Sequence, residues 1–310
     1  MKASIIIPAY NEEEKIANCI SSLLKQSFEN FEIIIIDDGS IDNTRSIVKK
    51  FSNSNKNIRF FKQKHGGPGK ARNLGARNAF GKVLVFVDAD MEFDTNYVRA
   101  IVEPILDKKH FGTWHNKELV INQDNIWALC WGVNRLNVKS GLESNIFRAI
   151  SKDIFLSVGG FDPSKGYFDD QTLFQKLNKH AISVDAICYH HNPDSISEIF
   201  HHSKWVGRSF MLNQKEIAFY AKKHFLKIIL GLVLFLNLIY LIFVNIQSYT
   251  HIILIFLFFV ILYIIFLFLK TKNIRIAIFK PVFNIIYFSG FLFGLLDFFL
   301  KEEKKDEFIV

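Results

Sequence analysis

Between Ile252 and Leu269 the chain runs for eighteen residues without a charged side chain. A run of that kind is close to the roughly 20 apolar residues a helix needs to cross the hydrocarbon of a bilayer. Two further apolar stretches flank it: Ile228 to Val244, interrupted by Asn237, and Pro281 to Leu300, which contains Asn284, Gly290, Gly294 and Asp297. The hydrophobic excess of the 310-residue chain (50% apolar, mean hydropathy +0.17) is therefore gathered after Phe225 rather than spread through one core. Two to three transmembrane helices are expected over residues 225–300, the third either spanning or re-entrant, with a charged tail at 301–310. Residues 196–224 carry Trp205, Phe210, Tyr220, Lys222, Lys223 and His224 and read as an interfacial linker.

Basic residues assign the sides. Lys222, Lys223 and Lys227 precede the first apolar stretch, and Lys270, Lys272, Arg275 and Lys280 separate the second from the third, whereas Asn245 to His251 has neither Lys nor Arg. Lys and Arg accumulate in cytoplasmic loops, so a multi-pass cell-membrane protein with its N-terminal domain in the cytoplasm is expected. The formal net charge of +8 suits anionic lipid and phosphate groups. It does not point to nucleic acid, because no basic stripe alternates with aromatics. Cys19, Cys130 and Cys188 are far apart and form no CxxC, which argues against zinc or a disulfide framework and suits a reducing compartment. The apolar run Ile5 to Ile7 is too short for a signal-peptide core.

The first ~110 residues alternate strand and helix signals. Strands are predicted at Ile5–Ile7, Phe31–Ile36, Ile58–Phe61 and Val83–Val87. Helices are predicted from Asn11 through Leu24, from Asp42 to about Phe51, from Pro68 to about Phe80 and from Thr95 to Leu106. Continuously apolar strands between helices imply an α/β fold with a mostly parallel sheet covered on both faces. In such sheets ligands bind beyond the carboxyl ends of the strands. Four polar clusters fall at those ends: Pro8-Ala9-Tyr10-Asn11-Glu12, Asp37-Asp38-Gly39-Ser40, His65-Gly66-Gly67-Pro68-Gly69 and Asp88-Ala89-Asp90. Residues 111–195 are less regular and are expected to complete the sheet and carry an acceptor surface.

Each cluster has a chemical reading and a plain one. Asp88 and Asp90, one residue apart at a strand end, can meet one Mg²⁺ or Mn²⁺, cations that seek oxygen ligands and bridge to phosphates; a solvated Asp turn is the plain reading. Asp37 and Asp38 can accept from a base or ribose, or simply open the next helix. The run from His65 to Gly75 offers glycines for close approach to phosphate and Lys70 and Arg72 as cations, or a loop that caps a helix; it lacks the G-K-[ST] of a Walker loop.

Taken together, Ser4 to Glu12, Asp37 to Ser40, Gly69-Lys70-Ala71-Arg72-Asn73-Leu74-Gly75 and Asp88 to Asp90 resemble, in order and spacing, the family 2 glycosyltransferases with their GT-A fold, a Rossmann-like α/β architecture. The likeness covers about the first 190 residues, so 1–195 is expected to be the GT-A domain. It implies that Pro8, Ala9, Tyr10 and Glu12 line a nucleotide pocket and that Asp37 or Asp38 holds the base. By the same likeness Arg72 lies near the diphosphate, Asp88 faces the nucleotide-sugar and Asp90 the metal. Gly159-Gly160-Phe161-Asp162 followed by Asp169-Asp170 resembles the family's Gly-Gly-Phe-Asp stretch and its Glu-Asp pair, with Asp169 in place of Glu and Asp170 in the position of the general base. An acceptor hydroxyl is a poor nucleophile and needs such a carboxylate. His190 or His191 falls where the family often brings a His to the diphosphate or metal. The Gln-x-x-Arg-Trp motif of processive synthases is absent around Trp205 to Arg208, which argues for transfer of a single sugar and leaves Arg208 as a candidate for acceptor or phosphate contact.

The resemblance thus implies inverting, metal-dependent transfer from a UDP- or GDP-sugar to a hydroxyl of a lipid-linked or cell-envelope glycan, with membrane lipid as a further partner. A polyprenyl-phosphate acceptor, a catalytically silent sugar-nucleotide-binding protein and a nucleotidyltransferase are the alternatives. The last would want a Gly-rich loop after the first strand, and Pro8 to Glu12 has no glycine.

Overall fold

The computed structural model describes residues 1–132, 134–211 and 250–306, with side chains left undescribed at 134–137, 211, 250–259 and 298–306. The chain divides into two compact units: residues 1–121 with 134–191, and a second whose described residues are 122–132, 192–211 and 250–306.

The first unit is a sheet between helices. Its strands are β1 (Ala3–Ala9), β2 (Phe31–Asp37), β3 (Ile58–Lys62), β4 (Val83–Phe86), β5 (Met91–Phe93), β6 (Gly112–Val120), β7 (Asn134–Asn137), β8 (Glu143–Ser144), β9 (Ala149–Ser151) and β10 (Ala181–His190). The order is β3-β2-β1-β4-β9-β6-β10-β5, with β7 on β6 and β8 on β10. The apolar runs of β1, β2 and β4 divide by parity, as alternation across a pleat requires. Ile5, Ile7, Ile33, Ile35, Val83 and Val85 enter one core, with Ile16, Cys19, Ile20 and Leu23 of α1 (Ile16–Leu24) and Val48 of α2 (Thr44–Ser54). Ile6, Ile34, Ile36, Leu84 and Phe86 enter the other, with Ala71 and Ala76 of α3 (Pro68–Asn78) and Phe155 of α6 (Lys152–Ser157). A strand buried on both faces can have no polar side, which is why these runs are uninterrupted.

The expectation of a mostly parallel sheet holds for one half and needs correction for the other. β1 to β4 pair in parallel, but β9 runs antiparallel to both β4 and β6, and β5 runs antiparallel to β10. The sheet is mixed because the short strands β5, β7, β8 and β9 pair antiparallel, while β6 and β10 pair in parallel. Helix α1 also starts later than the acidic cluster predicts. Asn11 takes a positive φ of 55°, and residues 11–13 bond to the next loop instead of coiling. The Asn11 and Glu13 amides donate to Ser40 Oγ and Asp42 Oδ2, while Ile41 and Asn43 amides donate back to Asn11 Oδ1 and Glu13 Oε2, all within 2.9–3.1 Å.

In the second unit, α5 (Ile126–Trp131), α8 (Ile196–Met211), α9 (Thr250–Thr271) and α10 (Ile274–Asp306) are helical. The third apolar stretch is one continuous helix through Pro281, not a hairpin. Its Gly290 and Gly294 face α8: a Cβ on Gly290 would strike Phe200 O and Ser203, and one on Gly294 would strike Lys204 O. Small residues here let two backbones approach closely. Among the described residues one helix, Ile274–Asp297, is long and apolar enough to cross a bilayer, and only 22% of its most apolar window is buried. The first apolar stretch, 228–244, lies outside the described residues.

Candidate active site

The parallel half of the sheet puts the four polar clusters at one edge, and hydrogen bonds join them in series. Asp38 N–H donates to Ala9 O at 2.8 Å, tying the end of β2 to that of β1. The Asp38 carboxylate then accepts from the amides of Gly66 and Gly67 at 2.9 and 2.8 Å and from Gln63 Nε2 at 2.6 Å. A buried carboxylate that accepts several N–H groups fixes its loop, here the glycine turn that opens α3. Asp37, also buried, accepts from Ser40 N–H and pairs with Arg45 at 2.7 Å, which together hold its carboxyl below the usual range against the opposing effect of burial. Tyr10 remains exposed and its ring lies 4.2 Å from that of His65. Pro8 and Ala9 are the last residues of β1, and Glu12 N–H donates to Thr44 Oγ1 at 2.7 Å.

Arg72, on α3, spans the middle of the edge. It donates to Asp88 Oδ1 at 2.6 Å and to Asp169 Oδ1 at 3.1 Å. Arg148 donates to the other Asp88 oxygen at 2.9 Å. Strand β9 places it, since Phe86 N–H donates to Arg148 O at the end of β4. Burial alone would raise the Asp88 carboxyl; Arg148 and Arg72 overcome it and hold the group well below the carboxylate range. Asn73 fastens the Gly-Gly-Phe turn behind Arg72, donating to Phe161 O at 2.9 Å and accepting from Phe161 N–H at 3.0 Å. Gly160 takes φ 69° there, with Asn73 Oδ1 where its Cβ would be, so no other residue fits.

Asp169 and Asp170 end differently. Asp169 is buried, and its second oxygen finds no hydrogen-bond partner among the described residues. Burial pushes its carboxyl up to about 6 against the pull of Arg72, with Asp170 and Asp88 adding to the rise. Asp170 is half-buried, and burial raises it too. Because Asp169 binds its proton more tightly folded than unfolded, its contribution favours the fold at low pH and is lost as pH climbs from about 4 through about 6. Asp169→Asn is therefore expected to flatten this part of the pH–stability curve. The variant's melting temperature relative to wild type should be higher at pH 7.5 than at pH 4.5, and an unchanged offset would contradict the assignment.

Asp90 continues the edge beyond Asp88. Its Oδ2 lies 2.9 Å from His190 Nε2, because β5 pairs with β10 in a register that sets Met91 opposite His190. His190 Nδ1 meets Glu118 Oε1 at 2.8 Å. His191 donates its amide to Asp90 O at 3.0 Å, and its ring lies nearest Glu92, so of the two histidines His190 is the one at the carboxylate. Arg208 lies exposed on α8 in the second unit. Behind His190, the ligand-type atoms of His115, Glu118 and Cys188 all lie within 4.8 Å of one another and are buried.

Arg148, Glu118 and His115 escaped the sequence reading. Their one signal was polarity inside strand-like runs, His115 and Glu118 among Trp114, Leu119 and Val120, and that pattern alone does not say which face is buried.

Residues 4–151, a little under half of the chain, match the family model described as "Glycosyl transferase family 2". Among curated relatives, the glycosyltransferase GlyA of Streptococcus pneumoniae serotype 4 (strain ATCC BAA-334 / TIGR4) is 34% identical over 106 residues, 34% of this chain and 15% of the relative. The poly(ribitol-phosphate) beta-N-acetylglucosaminyltransferase TarS of Staphylococcus aureus (strain Mu50 / ATCC 700699) is 42% identical over 93 residues, 29% of this chain and 16% of the relative. The matched region is thus a small part of either relative's length. Among solved structures, the mannosyltransferase PcManGT from Pyrobaculum calidifontis in complex with GDP-Man and Mn²⁺ superposes with a TM-score of 0.50 at 18% identity, over 69% of this chain and 64% of that one, a likeness of fold.

Proposed function

We propose, from the premise that residues 4–151 form a glycosyltransferase family 2 domain, that this chain transfers one sugar from a UDP- or GDP-sugar to a hydroxyl of a lipid-linked or cell-envelope glycan, with inversion at the anomeric carbon. The observation that carries this reading is the clasp of Arg72 between Asp88 and Asp169. It sets a carboxylate pair suited to the donor and a carboxylate pair suited to the acceptor on either side of one guanidinium.

Pro8, Ala9, Tyr10, Glu12, Asp37 and Asp38 form the nucleotide side in this reading, with Asp38 ordering the glycine turn and Tyr10 offering an exposed ring to the base. Asp88 is committed to Arg72 and Arg148, which suits orienting the nucleotide-sugar more than binding a cation. Asp90, a quarter exposed at the open edge, fits an oxygen-seeking Mg²⁺ or Mn²⁺. When bound, that cation neutralises the charge of the departing diphosphate. Asp170 takes the proton of the acceptor hydroxyl. The acceptor's oxygen then forms a bond to the anomeric carbon as the bond to the diphosphate oxygen breaks, and the electron pair leaves with the nucleotide. Asp169, buried and bonded to Arg72, holds the guanidinium in place. The name of TarS, an N-acetylglucosaminyltransferase, supports a sugar donor for the shared segment. A product carrying one added sugar of inverted configuration, read by mass spectrometry and NMR, is expected; a ladder of sugars or a retained configuration would overturn the reading.

The membrane assignment rests on α10, whose exposed Ile278, Val282, Ile285, Phe293 and Leu296 suit lipid contact. We place α9 beside it and the glycosyltransferase domain on the cytoplasmic side, because Lys270, Lys272, Arg275 and Lys280 cluster where α9 meets α10. A cysteine substituted at Asn273 should resist an impermeant label applied to intact cells; ready labelling would reverse the orientation.

A further inference from the structure

The edge that carries Asp90 is braced from inside the sheet by an unbroken line of titratable side chains. Asp90 Oδ2 meets His190 Nε2 at 2.9 Å, His190 Nδ1 meets Glu118 Oε1 at 2.8 Å, Glu118 Oε2 meets His115 Nε2 at 3.1 Å, and His115 Nδ1 meets the Tyr97 hydroxyl at 3.0 Å. Register assembles the line. β6 and β10 pair in parallel with Glu118 opposite Cys188, β5 pairs with His190, and Tyr97 opens α4 (Tyr97–Leu106) beneath them.

Each ring is held at both nitrogens. His190 has a carboxylate within hydrogen-bond distance of each. His115 has a carboxylate at Nε2 and a hydroxyl at Nδ1, so Nε2–H donates to Glu118 and Nδ1 accepts from Tyr97. Placing Glu118 in a buried site is costly unless its oxygens are paired, and here one oxygen serves each histidine. A core that needed only volume at this place would be better served by leucine. The arrangement has the form of an outer shell that orients an inner ligand, in which each member is held by the next.

We infer that Glu118, His115 and Tyr97 are positioning residues for the donor site: they hold His190 so that its Nε2–H fixes the carboxylate of Asp90 where cation and diphosphate meet. Glu118 also supplies a second negative charge. This inference rests on the proposed sugar transfer. It gives a polar line inside the core a task in the reaction, and it extends the site from the loop edge to α4.

The test is a Mn²⁺ titration of nucleotide-sugar turnover with the full chain in detergent, comparing wild type, Glu118→Gln and Tyr97→Phe. In Glu118→Gln, His190 loses the carboxylate at Nδ1 and with it the brace that aims Nε2 at Asp90. The half-saturating Mn²⁺ concentration should rise about 10- to 100-fold, the range for loss of an outer-shell partner, while kcat at saturating Mn²⁺ stays within a few fold. Tyr97→Phe, which removes a single hydroxyl, should shift the same midpoint in the same direction by less. A purely structural role would lower stability and kcat at every Mn²⁺ concentration and leave the midpoint in place; that outcome overturns the inference. So does one tightly held zinc per chain in purified wild type, lost with Cys188→Ser, which would make His115, Glu118 and Cys188 a metal site. A wild type that turns over no donor at any Mn²⁺ concentration would instead overturn the transfer reading, and the inference with it.

Discussion

Asp90→Ala is expected to lower sugar transfer by about 10³-fold or more at saturating donor, the scale on which loss of a preorganised electrostatic contact to developing charge is felt. The side chain sits at the open end of a strand and is a quarter exposed, so its removal empties no core. The unfolding midpoint of the variant should stay within a few degrees of wild type. Substituting Asp90 also removes the acceptor for His190 Nε2, and this separates it from a surface turn. Rates measured across a Mn²⁺ series should show a variant that added metal does not rescue. Wild-type turnover in the variant would remove Asp90 from the reaction.

Asp170→Asn should cost roughly 10²-fold or more in kcat with the donor KM changed by less than a few fold, because Asn keeps the size of Asp but cannot accept a proton from the attacking hydroxyl. Burial already raises the Asp170 carboxyl, which strengthens it as a base as long as it stays ionised. Its neighbour separates the two acids by role: Asp169 is an Arg72 partner, whereas Asp170 keeps partial access to solvent. An unchanged kcat for Asp170→Asn would favour a phosphate acceptor, which is ionised already and needs no base.

The four polar clusters were legible because each follows an uninterrupted apolar strand, and parallel pairing brings such ends to one edge. Strand parity did the rest: Ile5 and Ile6 could not share a core, and they do not. What the sequence withheld was everything delivered by antiparallel pairing. Arg148 reaches Asp88 through β9, and β5 decides that His190 rather than His191 meets Asp90, two strands of three residues whose composition carries no periodic signal. The roles of Asp37 and Asp38 were half legible. One or the other was expected to hold a base, or the pair simply to open the next helix, and both spend hydrogen bonds on their own loops, to Ser40 and Arg45 in one case and to Gly66 and Gly67 in the other. Loop-ordering and ligand-facing carboxylates look alike in a sequence, since both need a turn-forming glycine nearby. In the second unit, the partner of Gly290 and Gly294 was not legible, because a small face records only that something approaches and not what.

Release of nucleotide diphosphate from a panel of UDP- and GDP-sugars, by the purified full chain with an acceptor-containing membrane extract, tests the proposed transfer most directly. At least one donor is expected to be consumed in Mn²⁺, with its sugar recovered on the extract and with turnover abolished by EDTA. No release from any donor, or release that EDTA leaves untouched, would contradict it.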